Sequence, residues 1–361
     1  MTNHMKMTSI LANGTSIKLY EYVEDFYLVS KPANRALKQL RKGLPTWVSS
    51  NTYHKMNISL WIYDDTAVNA FSCHYNQKHY IALSIGLLSA FWEEANNFIN
   101  QENLSLIFHL SESKKSYYIN SLYFYMLNFT VAHEFGHIVH GHLKGKKDKH
   151  YIEELLRITT DTNSEEKKCQ NWLTQLKEYD ADSFAASIQT ILFLQFWSDD
   201  IKINLASFDL MFISNYLCFR IFSEKTGRNF DEYFIKDIDE YDHPHPGIRM
   251  YYSFIHYFYW IGKFHGFNKD TIDILISGSD IVTRYEHIVL QKKELQKCYY
   301  SIAFTEKGAQ HLMNLHNDWE NLVEYYRHHS YIPIEKMEQI NEMPILNFYK
   351  AHIKESTENE R

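Results

Sequence analysis

A chain of 361 residues with only 12 glycines and 6 prolines has few places to turn sharply. Glycine supplies left-handed turn conformations and proline supplies fixed bends, so their scarcity favours long helices. It argues against a sandwich or barrel of many short strands. Core material is ample, at 45% hydrophobic and 16% aromatic residues, enough for one large domain or two ordinary ones. The expected fold class is α+β and predominantly helical.

Hydrophobic periodicity places the elements. Residues 1–50 read as an N-terminal segment of short amphipathic pieces, with a basic patch from Lys38 to Lys42 and no chemistry. Apolar residues alternate over Ile58–Tyr63 and again from His79 to Ile85, the pattern of strands. Gly86 ends the second strand, and Leu87 to Phe98 reads as a helix. From about Ser116 to His142, Leu122, Met126, Phe129, Val131, Phe135 and Ile138 recur at largely three-and-four spacing without a proline. That spacing predicts a helix buried on much of its circumference. A second long helix is predicted from about Thr162 to Trp197, opened by a Thr162 and Glu165 capping box. Further helices are expected over 202–225, 247–264 and parts of 270–352, with the Tyr251 to Trp260 aromatics as core. The polar tail KESTENER is expected to fray. The boundaries are thus an N-terminal segment at 1–50, a core at 51–265 and a C-terminal helical extension at 266–361.

A net charge of −7 gives no basic field, so neither nucleic acid nor an anionic membrane is an expected partner. The dense basic run Lys144 to Lys149 reads as a solvated loop after the first long helix. Cys73, Cys169, Cys218 and Cys298 are scattered without a CxxC pair, as expected for reduced packing thiols. No secretory leader is apparent, and no transmembrane run of about 18 apolar residues is read. The expectation is a cytoplasmic protein; its oligomeric state is not legible.

The chemistry lies in His133-Glu134-Phe135-Gly136-His137. On a helix, His133 and His137 share one face four residues apart and can grip one metal ion while Glu134 projects beside them. This is the HExxH signature of zinc metallopeptidases. A catalytic zinc site usually takes three protein ligands and leaves one position open. The extended metzincin motif is excluded, because its glycine position is His140 and its last histidine position is Leu143. His140 and His142 remain as spare imidazoles; His140, three residues beyond His137, is within reach of the site but reads as a surface or helix-end histidine. The better third ligand is Glu178, with Asp182 one turn on to accept a hydrogen bond from the non-ligating nitrogen of His133. Ala181, Ala185 and Ala186 flank the pair and allow close helix packing. In Asp242-His243-Pro244-His245-Pro246-Gly247-Ile248-Arg249 two prolines make a rigid corner before a helix. There His243 or His245, with Arg249, is placed to donate to a developing oxyanion.

Taken in order, HEFGH, the Glu-x-x-Ala-Asp of EYDAD and the His-Pro-x4-Arg beginning at His243 resemble the gluzincin metallopeptidases related to the CAAX-prenyl endopeptidases. The segment Val68-Asn69-Ala70-Phe71, the strand Tyr80 to Ser84 and Ile85-Gly86-Leu87-Leu88 resemble the segment preceding the active-site helices of that group. The likeness spans residues 58 to 250. It implies Zn2+ held by His133, His137 and Glu178, and a zincin-like core with a small antiparallel sheet beside the active-site helix. It also implies a zinc endopeptidase acting on a protein substrate; independently, an exposed sheet edge offers unpaired N–H and C=O groups, so the strand at 80–85 is expected to pair with the substrate backbone. The membrane-spanning helices of the CAAX branch are missing. The chain is similar instead to phage-exclusion peptidases of the Lit type, which cleave a translation elongation factor, and this implies a defence role. Residues 144–170 and 266–361 have no counterpart. The rival reading is a non-catalytic zinc-binding structural or interaction protein, which would fill the fourth metal position with a protein group.

Overall fold

The computed structural model describes residues 7–12, 15–108, 111–143, 164–195, 201–225, 241–291 and 301–332. Thr162 of the predicted capping box, the Lys144 to Lys149 run, Cys298 and the polar tail lie outside them.

A five-stranded sheet is laid against a set of long helices. Strands β1 (Met7–Ala12) and β2 (Thr15–Glu21) form an antiparallel hairpin, so the N-terminal segment contributes to the sheet. After α1 (Lys31–Gly43) and α2 (Ser50–Met56) come β3 (Ile58–Tyr63), β4 (Ala70–Tyr75) and β5 (Lys78–Ser84). The order across the sheet is β1-β2-β3-β5-β4. Three pairings are antiparallel, but β3 and β5 run parallel. The sheet is therefore mixed, where an antiparallel one was expected. Asn76 and Gln77 both adopt positive φ, 50° and 59°, the turn that closes a two-residue hairpin between β4 and β5. This hairpin corrects the expected substrate strand: β5 is interior, paired on both sides, and β4 is the end strand beside it.

Period-two alternation divides the sheet faces. Leu60, Ile62, Ile81 and Leu83 join the main core beneath the helices, while Trp61, Tyr63, Phe71, Tyr80 and Ala82 form a separate cluster on the opposite face.

The strand β5 runs directly into α3 (Ile85–Ile99), capped by Ser84, whose Oγ accepts from Leu87 N at 2.9 Å. The same hydroxyl accepts from Asn69 N at 3.1 Å and donates to Ala67 O at 2.6 Å, which pins the chain entering β4. Gly86 is required here: a Cβ on it would lie 2.2 Å from Thr66 O.

The two predicted long helices are α4 (Lys115–Val139) and α5 (Ser164–Gln195), packed against each other. Gly136 and Ala181 meet at their crossing, where a Cβ on Gly136 would lie 3.2 Å from Ala181 Cα. The small residues thus allow the close approach expected of them. Helices α6 (Ile201–Lys225), α7 (Pro246–His265), α8 (Lys269–Arg284) and α9 (Glu306–Tyr326) complete the frame. Over Leu205–Glu224, α6 is long and apolar enough to cross a membrane, contrary to the expectation of no such run, and it is mostly buried inside the protein. Residues of α8 share the main core with α4 and α6. A second cluster joins α5, α7 and α9 through Leu176, Tyr252, Trp319 and Tyr326.

Candidate functional site

Helix α4 brings His133, Glu134 and His137 into the interior, and the crossing at Gly136 sets Glu178 of α5 opposite them. All four are buried. His133 Nε2 stands 3.1 Å from His137 Nε2 and 3.4 Å from Glu178 Oε2, and His137 Nε2 stands 3.3 Å from Glu178 Oε1. The two imidazole nitrogens and the two Glu178 carboxylate oxygens therefore face one point, and the group can hold a metal ion. Tetrahedral ligands about 2.0–2.1 Å from a metal stand about 3.3–3.4 Å from one another, so the observed spacings fit such an ion. Two imidazoles and a carboxylate also form a donor set known from catalytic zinc.

Asp182 accepts from His133 Nδ1 at 2.7 Å, as the sequence predicts. It accepts three more hydrogen bonds: from Arg249 Nε at 2.7 Å and Nη2 at 2.9 Å, and from Tyr252 OH at 2.6 Å. Burial works against its charge, but Arg249 and His133 outweigh that and hold the carboxyl below its ordinary value. Arg249 Nη2 also reaches Glu178 Oε2 at 3.1 Å. The guanidinium is thus committed to the two carboxylates and lies over the Phe219 ring. Its Nε and Nη2 clamp Glu178 and Asp182, while the residue also lines the cavity beside the site.

The two corner histidines separate. His245 caps α7, its Nδ1 accepting from Gly247 N at 3.0 Å. His243 faces the ligand group, with Nε2 3.6 Å from Glu178 Oε2 and Nδ1 3.1 Å from Asp242 Oδ1.

Beside His133 and Glu134 lies a cavity of about 290 Å³, whose wall includes Val68, Asn69, Ala70, Phe129, Cys218, Phe219, Phe222, His243 and Arg249. Glu134 opens onto it, with the Ser72 hydroxyl of β4 near its carboxyl. Burial pushes its carboxyl up to about 7, with His133 and the Ser72 hydroxyl pulling the other way. Burial likewise pushes the Cys218 thiol up to about 12. Cys73 is buried as a packing thiol should be, whereas Cys169 is exposed.

The histidines past α4 are not surface groups. Gly141, at φ 81°, ends the helix: Gly141 N donates to Ile138 O and His142 N to His137 O, at 3.1 and 3.0 Å. This paired closure turns the chain back on itself and returns His142 beside His137. His140 and His142 are buried, and both bond to Asp180 of α5. Trp319 of α9 donates to the other Asp180 oxygen at 2.7 Å. The group His140, His142 and Asp180 can also hold a metal ion by proximity alone. Sequence reasoning missed Ser72, Tyr252 and Trp319, none of which lies in a motif that would mark it.

Neither a scan of protein-family models nor searches of curated proteins and solved structures finds a match.

Proposed function

We propose that the protein is a zinc-dependent endopeptidase that hydrolyses a peptide bond in a protein substrate. The observation that carries this reading is the convergence of His133, His137 and Glu178 at spacings of 3.1–3.4 Å, with Glu134 beside them and a cavity on the open side. A bound zinc ion would supply Lewis acidity, polarising the scissile carbonyl and lowering the pKa of a coordinated water towards about 7.

The chain's own residues supply the rest. Glu134 accepts the proton of the attacking water and returns it to the leaving amine. His243 donates to the carbonyl oxygen as charge develops on it. The end strand β4 carries Ser72 over α4, and its outer edge pairs with an extended substrate backbone. Val68, Phe129, Phe219 and Phe222 favour a bulky apolar residue flanking the scissile bond.

Glu134→Gln tests the proposal. The variant keeps the wild-type zinc content, and the new protein N-termini that appear in cells expressing the wild type vanish in cells expressing the variant. Equal cleavage by both proteins would refute it.

A further inference from the structure

The mechanism leaves over the buried group His140, His142 and Asp180, whose ligand atoms lie within 4.8 Å of one another. Hydrogen positions decide between a second ion and a purely hydrogen-bonded role. His142 Nδ1 stands 2.9 Å from His137 Nδ1, so one nitrogen carries a proton and the other accepts it. His137 turns its Nε2 to His133 and Glu178. A neutral imidazole that ligates through Nε2 keeps its proton on Nδ1. His137 therefore donates and His142 accepts. A neutral His142 then carries its own proton on Nε2, which points at Asp180 Oδ2 from 3.1 Å. A second ion would need that same Nε2. Were it bound there, the His142 proton would move to Nδ1 and two N–H groups would face each other across 2.9 Å.

Asp180 is occupied in a way consistent with this assignment. A carboxylate only accepts, and it receives Trp319 Nε1–H on Oδ1 at 2.7 Å. On Oδ2 it receives the His142 Nε2–H and the His140 Nδ1–H. The Tyr326 ring packs on His142 at a centroid distance of 5.1 Å and closes the side towards α9.

We propose that Asp180 and His142 are positioning residues that fix the metal-binding tautomer and ring orientation of His137 through a two-step hydrogen-bonded relay, and that this group holds no second ion. The inference rests on the zinc reading of His133, His137 and Glu178. The two metal histidines are thus oriented by different devices: Asp182 acts on His133 directly, whereas Asp180 acts on His137 through an intervening imidazole. Trp319 ties the relay to α9, which gives that helix a part in the metal site without touching the cavity.

The test is zinc stoichiometry by elemental analysis and zinc affinity by competition with a chromophoric chelator, on the full-length chain. The wild type, His142→Ala and His142→Gln are compared, with the thermal midpoint of each metal-free protein recorded alongside. One zinc per wild-type chain is expected. His142→Ala should weaken zinc binding about 10- to 100-fold, the usual cost of losing an outer partner of a metal ligand. His142→Gln, with an acceptor for His137 and a donor for Asp180, should recover most of that loss. A role in packing alone predicts no difference between alanine and glutamine once their midpoints agree, and that result overturns the relay. Two zinc ions per wild-type chain, or unchanged affinity in His142→Ala, overturn it as well. A wild-type chain that takes up no zinc refutes the parent metal site, an outcome visible before any variant is measured.

Discussion

The Asp182 carboxylate accepts four hydrogen bonds from three residues while fully buried, so replacing it with asparagine has a calculable cost. Each oxygen receives two donors, which fills the acceptor capacity of the group. Asparagine keeps the shape, but its amide nitrogen meets two donors head-on, and the charge opposite Arg249 is gone. Removing one partner of a buried ion pair costs about 3–5 kcal/mol. Arg249 retains Glu178 at 3.1 Å and its side chain is 13% exposed, so the lower end, about 3 kcal/mol, applies. Unfolding entropy near 2.1 cal/mol/K per residue gives about 0.76 kcal/mol/K for 361 residues. Asp182→Asn should then lower the thermal midpoint by about 4 °C. Scanning calorimetry with excess chelator isolates this effect from metal loss. Zinc affinity, measured separately, should fall about 10- to 100-fold as His133 loses its orienting partner. A metal-free midpoint within about 1 °C of the wild type would show that the carboxylate is not the buried counter-ion of Arg249.

Three further outcomes follow from particular residues. Burial pushes the Asp209 carboxyl from 3.8 up to about 7, although Ser277 donates to it. The folded state then binds this proton more tightly than the unfolded state, so the contribution is complete below about pH 4 and is lost as pH rises towards 7. Full burial would make the loss about 4 kcal/mol, and the partial exposure of the side chain reduces it to about 2. Asp209→Asn should therefore be more stable than the wild type at pH 8 and nearly equal at pH 4 by urea unfolding; a constant difference at both would refute the burial argument. Gly86→Ala drives a Cβ against Thr66 O. The displaced backbone should cost about 1–3 kcal/mol, offset by up to about 1 kcal/mol of helix propensity. Because the loop at 64–69 feeds β4, cleavage should fall as well, and an unchanged denaturant midpoint with full activity would contradict the packing. Lastly, Arg249→Met should lower zinc affinity by weakening the hold on Glu178. If instead zinc binding held and only turnover fell, Arg249 would act on substrate.

What the sequence makes legible and what it hides divide along one physical line. His133 with His137, and Glu178 with Asp182, are pairs four apart on single helices, where local geometry alone sets one face. Their mutual approach was legible in part, through Ala181, Ala185 and Ala186, while the part of Gly136 emerges only where it meets Ala181. The strands at 58–63 and 78–84 showed themselves by alternation, but not their order: β4 became the edge through a turn of Asn76 and Gln77, residues that carry no glycine signal for positive φ. Asp180 shows the limit most clearly. It lies two residues from Glu178, about 200° around the helix, and on a helix buried along one face it would be solvated. Here α4 and α7 meet one side of α5 while α9 covers another, so Tyr179, Asp180 and Asp182 are all buried. A charge on the second buried side needs partners of its own, and they come from a chain reversal at Gly141 and from Trp319, 139 residues away. No local pattern encodes such a meeting. Yet it leaves three donors to Asp180, His140, His142 and Trp319, gathered behind the candidate ligand His137. The polar group that α5 had to satisfy for its own burial is thereby made to orient the metal site.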